Sequence, residues 1–83
     1  MASPDDRQGD SIPLRSEVTG NVTKIAARPG ESVAADDAVV IVESMKMEIP
    51  VSAAADGVVV DVLVAEGEAV DEGQVLALLR PAR

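Results

Sequence analysis

The stretch Val42-Glu43-Ser44-Met45-Lys46-Met47-Glu48-Ile49 sets a lysine between two methionines, with a glutamate outside each. Lys46 is one of two lysines in the chain, the other being Lys24. A lysine amine can do two kinds of chemistry. As a catalyst it is usually buried in an apolar pocket, which favours the neutral, nucleophilic form. On display it is an attachment point: an activated acyl donor forms an amide at Nζ, the charge is erased, and a long flexible arm results. The elements that hold Lys46 decide between these uses.

Little other chemistry is open to the chain. It has no histidine and no cysteine. The commonest general base, Ser-His-Asp and Cys-His nucleophiles, thiolate metal sites and disulfides are therefore excluded. The paired acids Asp36-Asp37 and Asp71-Glu72 lack the spacing of a calcium loop and read as solvated turns. A net charge of −8 opposes binding to nucleic acid and suits a basic partner surface. The opening MASPDDRQGD is acidic and polar and lacks the apolar core of a signal peptide. No apolar run approaches the ~18 residues that a membrane span needs. Together with the absence of cysteine, these features lead us to expect a cytoplasmic protein, monomeric in isolation, with no membrane or nucleic-acid partner.

The 83 residues suffice for one small domain. Hydrophobic residues make up 47% of the chain, yet none is aromatic, so the core must be thin and built from Val, Leu, Ile and Ala. Such side chains suit a pleated sheet. Residues 1–11 lack periodicity and read as a disordered leader, 12–80 as the domain and 81–83 as a tail. Short apolar runs alternating with Gly, Pro and Asp clusters predict an all-β fold.

The chain also repeats itself. Shifted by 37 residues, 20–43 falls on 57–80 without a gap, matching Gly20/Gly57, Val22/Val59, Gly30/Gly67, Glu31/Glu68 and Val33/Val70. Gly20 and Gly57 open strands; Gly30 and Gly67 fill tight turns that call for positive φ. Each half reads as a long strand, a Gly-Glu turn, a short strand, a loop and a second long strand, over 38–43 in the first half and 75–80 in the second. Val58–Val64 alternates, with Val60, Val62 and Val64 on one face and Val59, Asp61 and Leu63 on the other. Two such halves must pack together to bury their apolar faces, as a sandwich or flattened barrel with quasi-two-fold symmetry. The first half ends at Glu43, so Met45-Lys46 becomes the two-residue turn of a hairpin. Neither residue favours positive φ, so stability alone did not select them. The tip and the chain ends should then lie at opposite ends of the domain.

Glu43 to Glu48 resembles the E-[AS]-M-K-M signature of biotinyl domains, the biotin carboxyl carrier family. Gly20, Pro29-Gly30, Val33, Gly57, Gly67, Val70, Gly73-Gln74 and Leu76 also fall where that family's pattern has them, so the likeness spans about Ile12 to Leu79. The resemblance implies a biotinyl/lipoyl-carrier fold of two four-stranded antiparallel sheets. It implies that a biotin protein ligase biotinylates Lys46, with Met45 and Met47 against the ligase or the cofactor. Glu43, Ser44 and Glu48 would complete the ligase recognition motif. The chain would then be a non-catalytic subunit shuttling carboxybiotin from a biotin carboxylase subunit to a carboxyltransferase subunit, of an acyl-CoA carboxylase or a related enzyme. Ser44 stands where many members have Ala, and no "thumb" insertion interrupts Pro29–Val40.

Other readings compete. Lipoyl domains share this fold but typically carry Asp-Lys-Ala at the turn, so Met-Lys-Met favours biotin over a lipoyl carrier. Phosphopantetheine carriers are helical and use Asp-Ser-Leu, which this chain lacks. An unmodified hairpin adaptor is a further alternative. Lys46 could also be a surface lysine paired with Glu43 or Glu48, the methionines could be partly buried on one strand face, and the glutamates could be simply solvated. Lys24, with no methionine beside it, is the internal control, expected on a strand surface and unmodified.

Overall fold

The computed structural model describes residues 11–82. The leader assigned to residues 1–11 lies outside them except for Ser11. The described chain forms eight strands: β1 Ile12–Arg15, β2 Gly20–Ile25, β3 Ser32–Val33, β4 Ala38–Ser44, β5 Met47–Ser52, β6 Gly57–Val62, β7 Ala69–Val70 and β8 Val75–Pro81. They build two four-stranded sheets, ordered β1-β8-β6-β3 and β5-β4-β2-β7, and every pairing is antiparallel. The expected all-β barrel-sandwich is therefore the observed fold. β8 runs one residue into the expected tail, because Pro81 pairs with Gly57.

Adding 37 to a residue number carries one sheet onto the other: β1 onto β5, β2 onto β6, β3 onto β7 and β4 onto β8. The repeat is thus longer than 20–43, and it includes the identities Ile12/Ile49 and Pro13/Pro50. Each sheet takes its two inner strands from one half and its two outer strands from the other. Pro13 and Pro50 both lie on outer strands, where the missing N–H costs no ladder bond inside a sheet.

Hydrogen bonds repeat with the same offset. Gly30 N–H donates to the Val59 carbonyl and Gly67 N–H to that of Val22, both at 2.7 Å. In return Val59 N–H donates to the Glu31 carbonyl and Val22 N–H to that of Glu68, both at 2.9 Å. The two glycines have φ of 91° and 88°, as the turns require. The Glu31 carboxylate accepts the Arg28 N–H at 2.5 Å, and that of Glu68 accepts the Ala65 N–H at 3.0 Å. The glutamate of each Gly-Glu pair thus closes its own turn. Asp37 likewise accepts the Ala34 N–H, and Gln74 that of Asp71. Among the described residues no acidic cluster could hold a metal, and the paired acids are turn residues.

The core holds no aromatic ring. Val22, Val39, Val40, Val42, Val59, Leu76, Ala77 and Leu79 are its most buried members. Bulges explain why neighbours in sequence share it. The β4–β5 register skips Val39 and the β1–β8 register skips Leu76, so Val39-Val40 and Leu76-Ala77 both point inward. A matched pair of bulges at Thr23 and Val60 corrects the simple alternation expected over 58–64. Val59, 1% exposed, joins the core with Val64 and the half-buried Val62, while Asp61 and Leu63 are exposed. The inserted residue resets which face each side chain takes.

Candidate functional site: the β4–β5 hairpin tip

Strand β4 carries seven residues up to the tip and β5 carries six away from it. Val42 pairs with Ile49, Glu43 with Glu48 and Ser44 with Met47, which leaves Met45-Lys46 as the turn. Their φ angles are 52° and 67°. Positive φ at both central residues is the type I′ pattern, whose twist matches that of a hairpin. Asn-Gly would adopt it with least strain; for Met and Lys the side-chain Cβ makes it unfavourable.

The tip offers Lys46 to solvent. Lys46 is exposed, and no hydrogen bond or ion pair engages it among the described residues. The pairing with Glu43 or Glu48 that an ordinary surface lysine would make is absent. Met45 is 92% exposed and Met47 is 63% exposed. They do not share a strand face, because Met45 belongs to the turn and Met47 opens β5, so the possibility that they pack into the core is not realised. Glu43 and Glu48 are exposed and face each other across the two strands, a like-charge pair that weakens the hairpin. Ser44 is half-buried.

Both halves hold the base of the hairpin. Val42 is fully buried below it. Asn21 of β2 pairs with Glu43 on one side and with Ala69 of β7 on the other. Gly20 is the residue that permits this approach: a Cβ there would run into the Glu43 carbonyl group. Gly57 stands in the same relation to the Arg80 carbonyl at the pseudosymmetric place, beside Pro81 and the end of the described chain. Ile12 joins that end by pairing with Leu79. The hairpin tip and the paired ends of β1 and β8 thus take pseudosymmetric places in the two sheets. Gly20 was legible as a strand opener, but its support of Glu43 depends on register, which the sequence alone does not display. Lys24 is exposed in mid-strand on β2, paired with Ile41 and far from any methionine in sequence.

A primary amine on a short, twisted, well-anchored turn, outside any pocket, suits acylation by an incoming donor and free swinging of the attached group. It does not suit catalysis by the lysine itself, which would need desolvation.

The model of the biotin/lipoyl family, described as biotin-requiring enzyme, matches residues 11–79. The biotin-dependent acyl-coenzyme A carboxylase alpha3 subunit of Mycobacterium leprae is 39% identical over 72 residues, which are 87% of this chain but 12% of that protein. The biotinylated protein TB7.3 homolog of the same organism is 35% identical over 66 residues, 80% of this chain and 93% of that protein. Among solved structures, Kluyveromyces lactis urea carboxylase superposes with a TM-score of 0.82 at 37% identity, over 95% of this chain and 7% of that one. The chain thus spans a small part of the carboxylases it matches and nearly all of the small biotinylated protein. Family model, relatives and fold agree: this chain belongs to the biotin/lipoyl attachment family, described as biotin-requiring enzyme, and the small M. leprae relative is a biotinylated protein.

Proposed function

We propose that Lys46 is the residue that carries biotin, and that a biotin protein ligase attaches it. The observation behind this reading is the tip itself: an unpartnered lysine at the second position of a type I′ turn that glycine or asparagine would fill at lower cost. In the attachment step the Lys46 amine attacks the acyl carbon of an activated biotinyl donor. A C–N bond forms, the adenylate leaves, and the amine's proton passes to solvent. Bound biotin supplies a ring nitrogen that accepts and releases a carboxyl group. This chain's residues supply the rest: the Lys46 side chain lengthens the arm, and the anchored hairpin holds its root clear of the barrel.

The domain then acts as a non-catalytic carrier, moving the carboxyl group from a biotin carboxylase subunit to a carboxyltransferase subunit. We propose an acyl-CoA as the acceptor, on the strength of the likeness to the M. leprae acyl-coenzyme A carboxylase subunit, and the cytoplasm as the setting. Met45 and Met47 present apolar contacts to the ligase, with Glu43, Ser44 and Glu48 around them. The test is intact mass of the chain made with a biotin ligase and excess biotin, beside Lys46→Arg. One added biotinyl group in the parent and none in the variant is the expected result. Biotin on Lys24, or a lipoyl group in its place, would refute the assignment.

A further inference from the structure

The side chains most easily oxidised are cysteine, methionine and, with stronger oxidants, tryptophan, tyrosine and histidine. This chain has no Cys, Trp, Tyr or His, and three methionines. Met1 lies outside the described residues; the other two are Met45 and Met47, on either side of Lys46. Both are open to solvent, at 92% and 63% exposure. Every readily oxidised side chain of the described protein therefore sits on the hairpin tip. Neither methionine supports the core, and Met45 is held at positive φ, where it strains the turn. Their apolar surface packs against nothing in the core and is free to meet another molecule.

We propose that Met45 and Met47 form an oxidation-sensitive gate on the attachment of biotin to Lys46; this rests on the reading of Lys46 as the attachment residue. Hydrogen peroxide is the oxidant. Its oxygen transfers to the thioether sulfur: an S–O bond forms, the O–O bond breaks, sulfur loses two electrons, and the remaining oxygen leaves as water. The product is methionine sulfoxide, a polar and chiral group on the same stem. A partner surface that desolvates the thioether must then bury an oxygen it has no donor for. Reduction by a thiol-dependent methionine sulfoxide reductase returns the thioether, with a disulfide and water as products, so the gate is reversible. The fold lies outside its reach, because neither methionine belongs to the core.

The test uses the full chain. It is treated with hydrogen peroxide, quenched, and mapped by peptide mass spectrometry; its initial rate of biotin incorporation by a biotin ligase is then measured. A third sample is repaired with methionine sulfoxide reductases and a thiol before the assay. One oxygen on each of Met45 and Met47 is expected, with an unchanged circular dichroism spectrum. The rate should fall at least about tenfold, the effect of burying even one of the two unsatisfied oxygens, and recover on repair. Sulfoxides at both positions with an unaltered rate would overturn the gate. So would resistance of both residues to peroxide, or a loss that repair does not reverse. If the untreated chain takes no biotin, the attachment reading itself has failed, a result distinct from all of these.

Discussion

Among the described residues, six have positive φ, and they divide into two groups. Gly30, Gly67 and Gly73 are glycines in supporting turns, and Asp36, the first-half counterpart of Gly73, belongs to a residue type that tolerates this conformation. Met45 and Lys46 adopt it at the tip, against their preference. Where a turn only has to close, the chain uses residues suited to closing it. At the β4–β5 hairpin the chain uses two residues that local stability does not favour, which fits the proposed role of the tip. The two halves sharpen the contrast, because their supporting turns repeat bond for bond while the tip has no counterpart within the described residues.

Four variants test that contrast, taken from the largest effect downward. Lys46→Arg keeps the charge and the turn but removes the acylable amine, so biotin incorporation should fall to nothing by intact mass while the thermal midpoint stays put. Gly20→Ala places a Cβ against the Glu43 carbonyl, a backbone group with nowhere to go. It should cost about 2–3 kcal/mol, in the range of overpacked sites, and lower the melting temperature by at least about 8 °C in a calorimeter. The double change Met45→Asn with Lys46→Gly restores the preferred type I′ pair. It should stabilise the domain by about 1–2 kcal/mol in urea unfolding while removing the proposed attachment lysine altogether. A loss of stability there would mean that the native residues suit the turn after all. Glu48→Lys turns the opposed Glu43/Glu48 pair into an attractive one. It should raise the melting temperature by about 1–3 °C at low salt, with the gain shrinking as salt is added.

The repeat, the hairpin position and the displayed lysine could all be read from the sequence, because each rests on spacing. Glycines in register and a Met-Lys-Met core between two strands leave a mark that composition does not hide. The bulges left none. An extra residue inside AVVIV or GVVVDV looks like one more valine, yet it decides that Val39 and Val40 are buried together and that Val59 is core. The duplicated Ile-Pro of β1 and β5 was within reach, since the same offset of 37 carries 12–13 onto 49–50, but two identities in an otherwise divergent strand carry little weight alone. Glu31 and Glu68 were visible as a match, though not as turn closers, because a carboxylate reaching three residues back looks the same in sequence as a solvated one. The half-burial of Met47's partner Ser44, and the close fit of Gly20 under Glu43, follow from register between distant strands, which appears only once the sheets are assembled.

The interleaving of the halves reaches beyond packing. Each sheet is a clasp, with one half as its centre and the other as its rim. Pulling either half away would strip both centre and rim at once, so no partly melted form keeps one intact layer. A shell of valines and leucines, with no ring to give it bulk, should therefore unfold in a single transition. The post that bears the lysine stays upright for as long as the whole domain does.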